Sequence, residues 1–195
     1  PAYAGSGDGA SFGILYRDQW EGLEGAPKTA TMNVHFPAGR NVGLGFSAIS
    51  DEIGPVSETN LYVDFSYTLN FSNDNRLAFG VKAGGTFHDV GLIDLSLIDP
   101  NDPFFANDIN ENTPDVGAGI YFYKPNNYYI SVSVPNILES VHLDNNDFNI
   151  GSETRHIFAA AGYVFDINEN FKFKPHTFVK YASQSPISLD VNANL

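Results

Sequence analysis

The sequence predicts an all-β fold, an antiparallel up-and-down transmembrane β-barrel with about ten visible strands. Apolar and polar residues alternate without a break from Leu61 to Phe71, and the alternation resumes at Leu77 after the polar turn 72–76. Successive side chains leave a strand on opposite faces, so a period of two indicates β-structure. The first arm of this hairpin exceeds the usual soluble strand of about 5–6 residues and matches the ~9–11 residues that cross a bilayer at a tilt.

The remaining strands show the same alternation, and their connections differ in length. Eight further strands are predicted at 10–17, 29–36, 42–49, 116–123, 128–134, 156–167, 171–181 and 188–195. Short turns fall at 37–41, 72–76, 124–127 and 168–170, and longer links at 18–28, 50–58, 92–112, 135–155 and 182–187. Outer-membrane barrels place short turns in the periplasm and longer loops outside. We therefore expect the first strand to run outward from a periplasmic N-terminus.

Composition restricts the class of protein. The 195 residues suit a single domain, 1–195, and carry a formal net charge of −13, which argues against nucleic acid as a partner. Cysteine is absent. The sequence also contains no run of about 18 apolar residues, so it predicts no transmembrane helix. The chain shows no signal peptide and stops within a strand-like stretch, so we expect the domain to be incomplete at its C-terminus.

The two faces of the predicted strands differ in chemistry. The regular apolar face is expected to contact outer-membrane lipid, and the small, polar face to line a partly wet lumen. The residues expected to face the lumen are Asn33, His35, Asp64, Ser66, Lys82, Lys172, Lys174, His176, Lys180 and Asp190. An aromatic girdle beside the short turns is predicted from Phe36, Phe71, Phe122, Tyr123, Tyr128, Phe165 and Phe171. A soluble β-sandwich with an equally apolar core remains the alternative.

Four basic residues alternate along the ninth predicted strand, at 172, 174, 176 and 180. Lysine costs about 2–4 kcal/mol on the lipid face near the midplane, so these side chains are expected inside, opposite Asp64 or Asp190. Two interpretations stay open. They form an internal salt-bridge network, or they form a basic strip that contacts an acidic plug or partner.

The sequence predicts no catalytic residue, metal site or cofactor. The five histidines lack zinc-ligand spacing, and the acidic stretch from Asp94 to Glu111 lacks the calcium-loop pattern. Trp20 is expected to pack its loop into the barrel mouth or to contact a partner. The candidates for partner contacts or outer-loop roles are Arg17, Trp20, Lys28, Asp99, Asp102, Phe104 and Phe105.

Several N-terminal stretches resemble the PorP/SprF family as an ordered set. They are Pro1–Gly5 (PAYAG), Leu15–Trp20 (LYRDQW), Gly25–Thr31 (GAPKTAT), Val34-His35 and Gly43–Gly45 (GLG). Members of that family are outer-membrane barrels of the type IX secretion system in Bacteroidota, and they continue for several more strands. The resemblance carries no catalytic motif.

The resemblance implies a role in secreting large adhesins and attaching them to the cell surface, including those used in gliding motility. The implied partners are the C-terminal domain of a secreted adhesin and the periplasmic ring lipoproteins of the apparatus. Two other functions stay open: a porin-like outer-membrane channel, and a binding module on a soluble β-sandwich.

Overall fold

Thirteen β-strands build the part of the chain that this computed structural model describes, namely residues 1–92, 108–138, 141–145, 148–152, 154–183 and 185–195. The strands are β1 (Ser11–Asp18), β2 (Lys28–Pro37), β3 (Val42–Ile53), β4 (Val56–Asn70), β5 (Arg76–Val90), β6 (Ile109–Lys124), β7 (Tyr128–Val134), β8 (Val141–Asn145), β9 (Phe148–Ser152), β10 (His156–Tyr163), β11 (Phe165–Asp166), β12 (Lys172–Ala182) and β13 (Ser188–Asn194). No helix in these ranges is long and apolar enough to span a membrane.

Eleven of the strands form one antiparallel sheet in which neighbours along the chain are neighbours in space. The order runs from β1 to β7 and continues through β10 and β12, with β11 and β13 both paired to β12. β8 and β9 form a separate hairpin. Among the described strands no pairing joins β1 to β13, so the sheet is open at these two edges. The predicted all-β, up-and-down architecture is confirmed.

Three predicted links were wrong in detail. β3 runs to Ile53 and β4 starts at Val56, so the predicted link 50–58 is a two-residue turn, Gly54-Pro55. Its acidic residues lie in strands, where Thr29 donates to Asp51 at 2.5 Å and Asn60 donates to Glu58 at 2.7 Å.

The other differences concern β6 and the stretch after β7. β6 starts at Ile109, within the predicted link 92–112, and the predicted link 135–155 contains the β8–β9 hairpin. The predicted strand 156–167 is divided into β10 and β11 at Val164, whose amide donates to Asn127 O at 2.6 Å.

The outer face of the sheet is defined here as the face that carries Phe65 and Val81, which lie opposite each other on β4 and β5. Phe65, Val81 and Val132 are 43%, 55% and 46% exposed, so no second layer covers them. A β-sandwich would bury these side chains between two sheets. This arrangement contradicts the sandwich and leaves an apolar surface of the kind that barrels present to lipid.

The opposite, inner face is curved around the start of the chain. The Tyr3 ring lies 5.4 Å from the His35 ring on β2 and 5.5 Å from the Tyr121 ring on β6. In a flat sheet β2 and β6 would be about 19 Å apart, because neighbouring strands are separated by about 4.8 Å. One side chain reaches both strands because the sheet curls, as it does in a barrel wall.

Candidate functional site

The N-terminal segment, residues 1–5, lies in a groove on the inner face whose floor is made by glycines. A Cβ atom built on Gly43 would lie 2.1 Å from the Ala4 carbonyl oxygen, and one on Gly80 would lie 2.1 Å from the Ala2 nitrogen. Real side chains do not tolerate such distances, so only glycine admits the segment at these positions. Ala2 and Ala4 are correspondingly buried, at 5% and 7% exposed.

Hydrogen bonds hold the same segment in its groove. Ser66 Oγ donates to the Ala4 carbonyl oxygen at 2.6 Å, and the Gly5 amide donates to His35 Nδ1 at 3.4 Å. A turn bond from the Ala4 amide to the Pro1 carbonyl oxygen, 3.1 Å, compacts it. Gly5 has a φ of +66°, a conformation that glycine adopts at little cost. Residues from β2 to β5 therefore fix this segment within the curve of the sheet.

A buried polar cluster lies deeper on the inner face, formed by Asn60, Tyr62, Thr86 and Asp115. The four residues are between 1% and 7% exposed. Both hydroxyls lie near two acceptors: Tyr62 Oη is 3.0 Å from Asn60 Oδ1 and 3.1 Å from Asp115 Oδ2. Thr86 Oγ1 is 2.5 Å and 2.7 Å from the same two atoms. The cluster links β4, β5 and β6 through side chains as well as through backbone pairing.

Lys82 supplies the positive charge beside this cluster. Its Nζ lies 3.4 Å from the centre of the Tyr62 ring, and it interacts electrostatically with Asp64 and Asp115. A buried carboxylate without a nearby cation or donors would be costly, so Lys82 and the two hydroxyls together stabilise Asp115. The cluster thus acts as an internal brace that joins β4, β5 and β6.

We expect Thr86→Val to lower the free energy of unfolding by about 1–2 kcal/mol. Valine has the same shape but no hydroxyl, so buried acceptors on Asn60 and Asp115 each lose a possible donor. Guanidine titration of the full-length protein in phospholipid vesicles measures the change. Thr177→Val is the matched control, because the Thr177 hydroxyl donates to the Asp190 carbonyl oxygen at an exposed site. An equal loss in both variants would contradict the bracing role.

A tyrosine–lysine trough, formed by Tyr121, Tyr123, Tyr129, Lys172 and Lys174, runs beside the N-terminal segment on the same face. The Tyr121 and Tyr123 rings stack at 4.4 Å with an interplanar angle of 17°, and Tyr129 lies 6.2 Å from Tyr121 at 54°. Lys174 Nζ lies 5.5 Å from the centre of the Tyr129 ring. The trough therefore combines flat ring faces with cations.

The described residues contain no group of three histidine, aspartate or glutamate side chains that could hold a metal ion.

A family model described as "Type IX secretion system membrane protein PorP/SprF" matches residues 1–195, the whole chain. The chain belongs to the PorP/SprF family. Comparisons with curated proteins and with solved structures give no match. The sheet with an apolar, exposed outer face is the fold expected of a membrane protein in such a family.

In this PorP/SprF protein, two of the stretches that carry the resemblance contact each other. Residues 1–5 occupy the groove, and Gly43 and Gly45 form part of its floor. A Cβ built on Gly45 would lie 3.4 Å from the Ala4 Cβ. The sequence did not predict that residues 1–5 lie in this groove. The available signal was the series of glycines on the inner faces of β3, β5 and β6, which lets another backbone approach closely.

The strand register places every residue that was predicted to face the lumen on the inner face of the PorP/SprF sheet. These residues are Asn33, His35, Asp64, Ser66, Lys82, Lys172, Lys174, His176, Lys180 and Asp190. Ser66 and His35 contact the N-terminal segment, and Asp64 lies opposite Lys82. A functional role for the set stays a prediction.

The basic residues of β12 do not form the expected network with Asp64. Lys172 Nζ pairs with Asp166 Oδ1 at 3.0 Å, and both side chains are largely exposed. Lys180 Nζ lies 5.9 Å from the centre of the Phe158 ring. Asp190 lies on the adjacent strand, opposite Phe178, between the positions of His176 and Lys180. Ring contacts therefore take a larger part here than the predicted ion pairs.

Three of the seven residues predicted for partner contacts or outer loops belong to the described part of the chain, and four do not. Arg17 and Lys28 lie near the ends of β1 and β2, where Arg17 is opposite Thr29 and Lys28 is opposite Asp18. Trp20 is 68% exposed, and its role in packing its loop or in contacting a partner stays a prediction. The predicted residues Asp99, Asp102, Phe104 and Phe105 lie outside the described residues.

Six of the seven residues predicted for the aromatic girdle lie on the outer face or are exposed beside short turns, while their position at a membrane interface stays a prediction. Phe36, Phe71, Phe165 and Phe171 are 40%, 50%, 49% and 53% exposed beside the short turns. Phe122 and Tyr128 share the outer face with them, and Tyr128 stacks on Tyr163. Tyr123 is only 6% exposed on the inner face, because its position in the β6 alternation is opposite to that of Phe122.

Proposed function

We propose that this PorP/SprF protein is an outer-membrane barrel that supports secretion and surface attachment of large adhesins by binding their C-terminal domain. The observation that carries the proposal is the family match over the whole chain. The exposed apolar outer face supports insertion in a membrane. The proposed partners also include the periplasmic ring lipoproteins of the type IX apparatus. The proposed role is binding, with no chemical step.

The N-terminal segment argues for a binding role and against a wide pore. Ala2 and Ala4 are buried against β3, β4 and β5, so the segment occupies space that an open channel would leave to water. The polar cluster fills more of the inner face with hydrogen-bonded side chains. A porin-like channel is therefore the less favoured alternative.

The position of the segment also supports a periplasmic N-terminus. Gly43 follows the short turn 38–41, and Ser66 lies four residues before the end of β4, which leads into the short turn 71–75. The opposite end of the sheet carries the longer links and the two-residue turn Gly54-Pro55, whereas the segment lies toward the end that carries the turns 38–41 and 71–75. In outer-membrane barrels this end faces the periplasm.

Isolation of the native complex tests the proposal. We expect the full-length protein to fractionate with the outer membrane, to require detergent for extraction, and to co-purify with a large adhesin that mass spectrometry identifies by its C-terminal domain. Deletion of that domain from the adhesin should abolish co-purification. Recovery of a water-soluble monomer without detergent would contradict the proposal, and so would an adhesin that binds equally well without its C-terminal domain.

A further inference from the structure

Two adjoining cavities open along the tyrosine–lysine trough. One has a volume of about 410 Å³ and is bounded on one side by Pro1, Ala2 and Tyr3 of the N-terminal segment. The other has a volume of about 390 Å³ and extends to the turn 125–127. Both are lined by Tyr121, Tyr129 and Lys174. Each cavity has the size of a small-ligand site, and together they suit an elongated ligand.

Lys174 is the cation placed to select the ligand by charge. It lines both cavities, and no carboxylate in the described ranges lies within ion-pair distance of it. In a chain with 23 acidic and 10 basic residues, such a lysine is conspicuous. Lys172 lines the cavity that extends to the turn 125–127 and is held only by an exposed ion pair with Asp166. An exposed pair of this kind contributes little, so Lys172 can turn toward an anionic ligand.

The tyrosines select for flat or cyclic groups. Tyr3, Tyr121 and Tyr129 line the cavity beside the N-terminal segment, where Tyr3 meets Tyr121 edge-on at 61°. Behind them the buried Tyr123 stacks on Tyr121 at 17° and supports its ring. Aromatic-lined grooves of this kind bind proline-containing peptides, whose extended backbone is already ordered. Ser131 and Ser133 line the cavity that is bounded by the N-terminal segment, and they supply hydroxyls for peptide groups.

We propose that the tyrosine–lysine trough binds an extended peptide rich in carboxylates and proline. The lysines recognise the carboxylates, the tyrosine rings pack against proline, and the N-terminal segment closes one end of the site. The inference rests on the proposed function insofar as such a peptide would belong to a partner of the secretion apparatus. It names the part of the inner face that holds this partner.

A synthetic probe tests the site without any cargo protein. The probe is a fluorescently labelled peptide of alternating glutamate and proline, about 12 residues long, which spans about 40 Å when extended. We expect it to bind the full-length protein in detergent micelles, as measured by fluorescence anisotropy. Lys174→Glu should weaken binding at least about tenfold, because a charge-assisted contact becomes repulsive. Lys174→Arg should retain binding, because it keeps the charge.

Lys180→Glu is the matched control. Lys180 lies on the same strand and the same face, six residues from Lys174, and lines neither cavity. The same change of charge there should alter affinity by less than about twofold, since distant sites act independently. A shift in electrophoretic mobility between unheated and heated samples shows that each variant is folded.

The inference would be overturned by no binding of the glutamate–proline peptide, by an equal loss in the Lys180→Glu variant, or by preferential binding of a neutral oligosaccharide. A peptide of alternating glutamate and glycine should bind several-fold more weakly, because it offers no ring to the tyrosines. Equal binding of that peptide would also count against the site. None of these results depends on whether an adhesin co-purifies, so failure of the trough and failure of the proposed function are distinguishable.

Discussion

Val81→Arg is expected to lower the free energy of unfolding from a phospholipid bilayer by about 2–4 kcal/mol, the cost of a cation at the midplane of a barrel's lipid face. Val81 is 55% exposed on the outer face and lies opposite Phe65 on β4 and Ala118 on β6. It falls near the middle of the apolar residues that β5 presents on its outer face, which are Leu77, Phe79, Val81, Ala83 and Phe87. Guanidine titration of the full-length protein in phospholipid vesicles, followed by the electrophoretic mobility of the folded band, gives the value.

Asn192→Arg is the control for this prediction. Asn192 is exposed on the inner face of β13, opposite His176. A surface substitution away from buried groups changes stability by no more than about 0.5 kcal/mol. If Val81→Arg were as mild as Asn192→Arg, the outer face would lie in water. The membrane assignment would then be wrong, together with the secretory role that depends on it.

Gly80→Val is expected to displace the N-terminal segment from its groove. The new Cβ would lie 2.1 Å from the Ala2 nitrogen and 2.4 Å from the Ala2 Cα, and neither backbone atom can move without lifting the segment. Valine favours strands, so β5 itself should tolerate the change. Overpacking of this kind costs about 1–3 kcal/mol.

Cysteine labelling measures the displacement, since the chain has no native cysteine. In an Ala4→Cys background, we expect Gly80→Val to raise the rate of labelling by a water-soluble maleimide at least about fivefold, the factor that corresponds to about 1 kcal/mol. Gly9→Val is the control, because a Cβ at Gly9 has open space around it. Unchanged labelling in the Gly80→Val protein would show that the segment does not rest on β5.

The groove and the trough together support the binding role proposed above. The N-terminal segment occupies one part of the inner face, and the polar cluster stiffens the strands beneath it. Tyr3, Tyr121, Tyr129 and Lys174 line the cavity that remains beside them. In the function proposed above, this inner wall holds a partner by a peptide segment.

The alternation of apolar and polar residues was sufficient to predict most strands and the face on which each of their side chains lies. The alternation from Leu61 to Phe71 predicted β4, because a pleated backbone turns each successive side chain to the other side. It failed at 50–58, where acidic residues and Gly54-Pro55 were taken for a loop. Asp51 and Glu58 face each other across the turn and are satisfied by neighbouring side chains, so strands continue there without an apolar pattern.

The alternation of apolar and polar residues could not predict contacts between residues that are far apart along the chain. Thr86 and Asp115 are separated by 29 residues, and their hydrogen bond exists because the β5–β6 register places Thr113 opposite Thr86 and Asp115 opposite Gly84. That register does not follow from the length of the connection between the two strands. Likewise, Tyr123 looked like a girdle residue because it adjoins a short turn. Its burial depends on which side of β6 faces the curve.

The sequence by itself determined the strands, the apolar face and the resemblance to a secretion-system family, because each depends on residues that are near one another along the chain. Only the tertiary structure decided that the N-terminal segment lies on glycines of β3 and β5, and that Tyr121, Tyr129 and Lys174 line one trough. The physical reason is curvature: strands that are far apart in a flat sheet come together only when the sheet bends, and no local pattern encodes the bend.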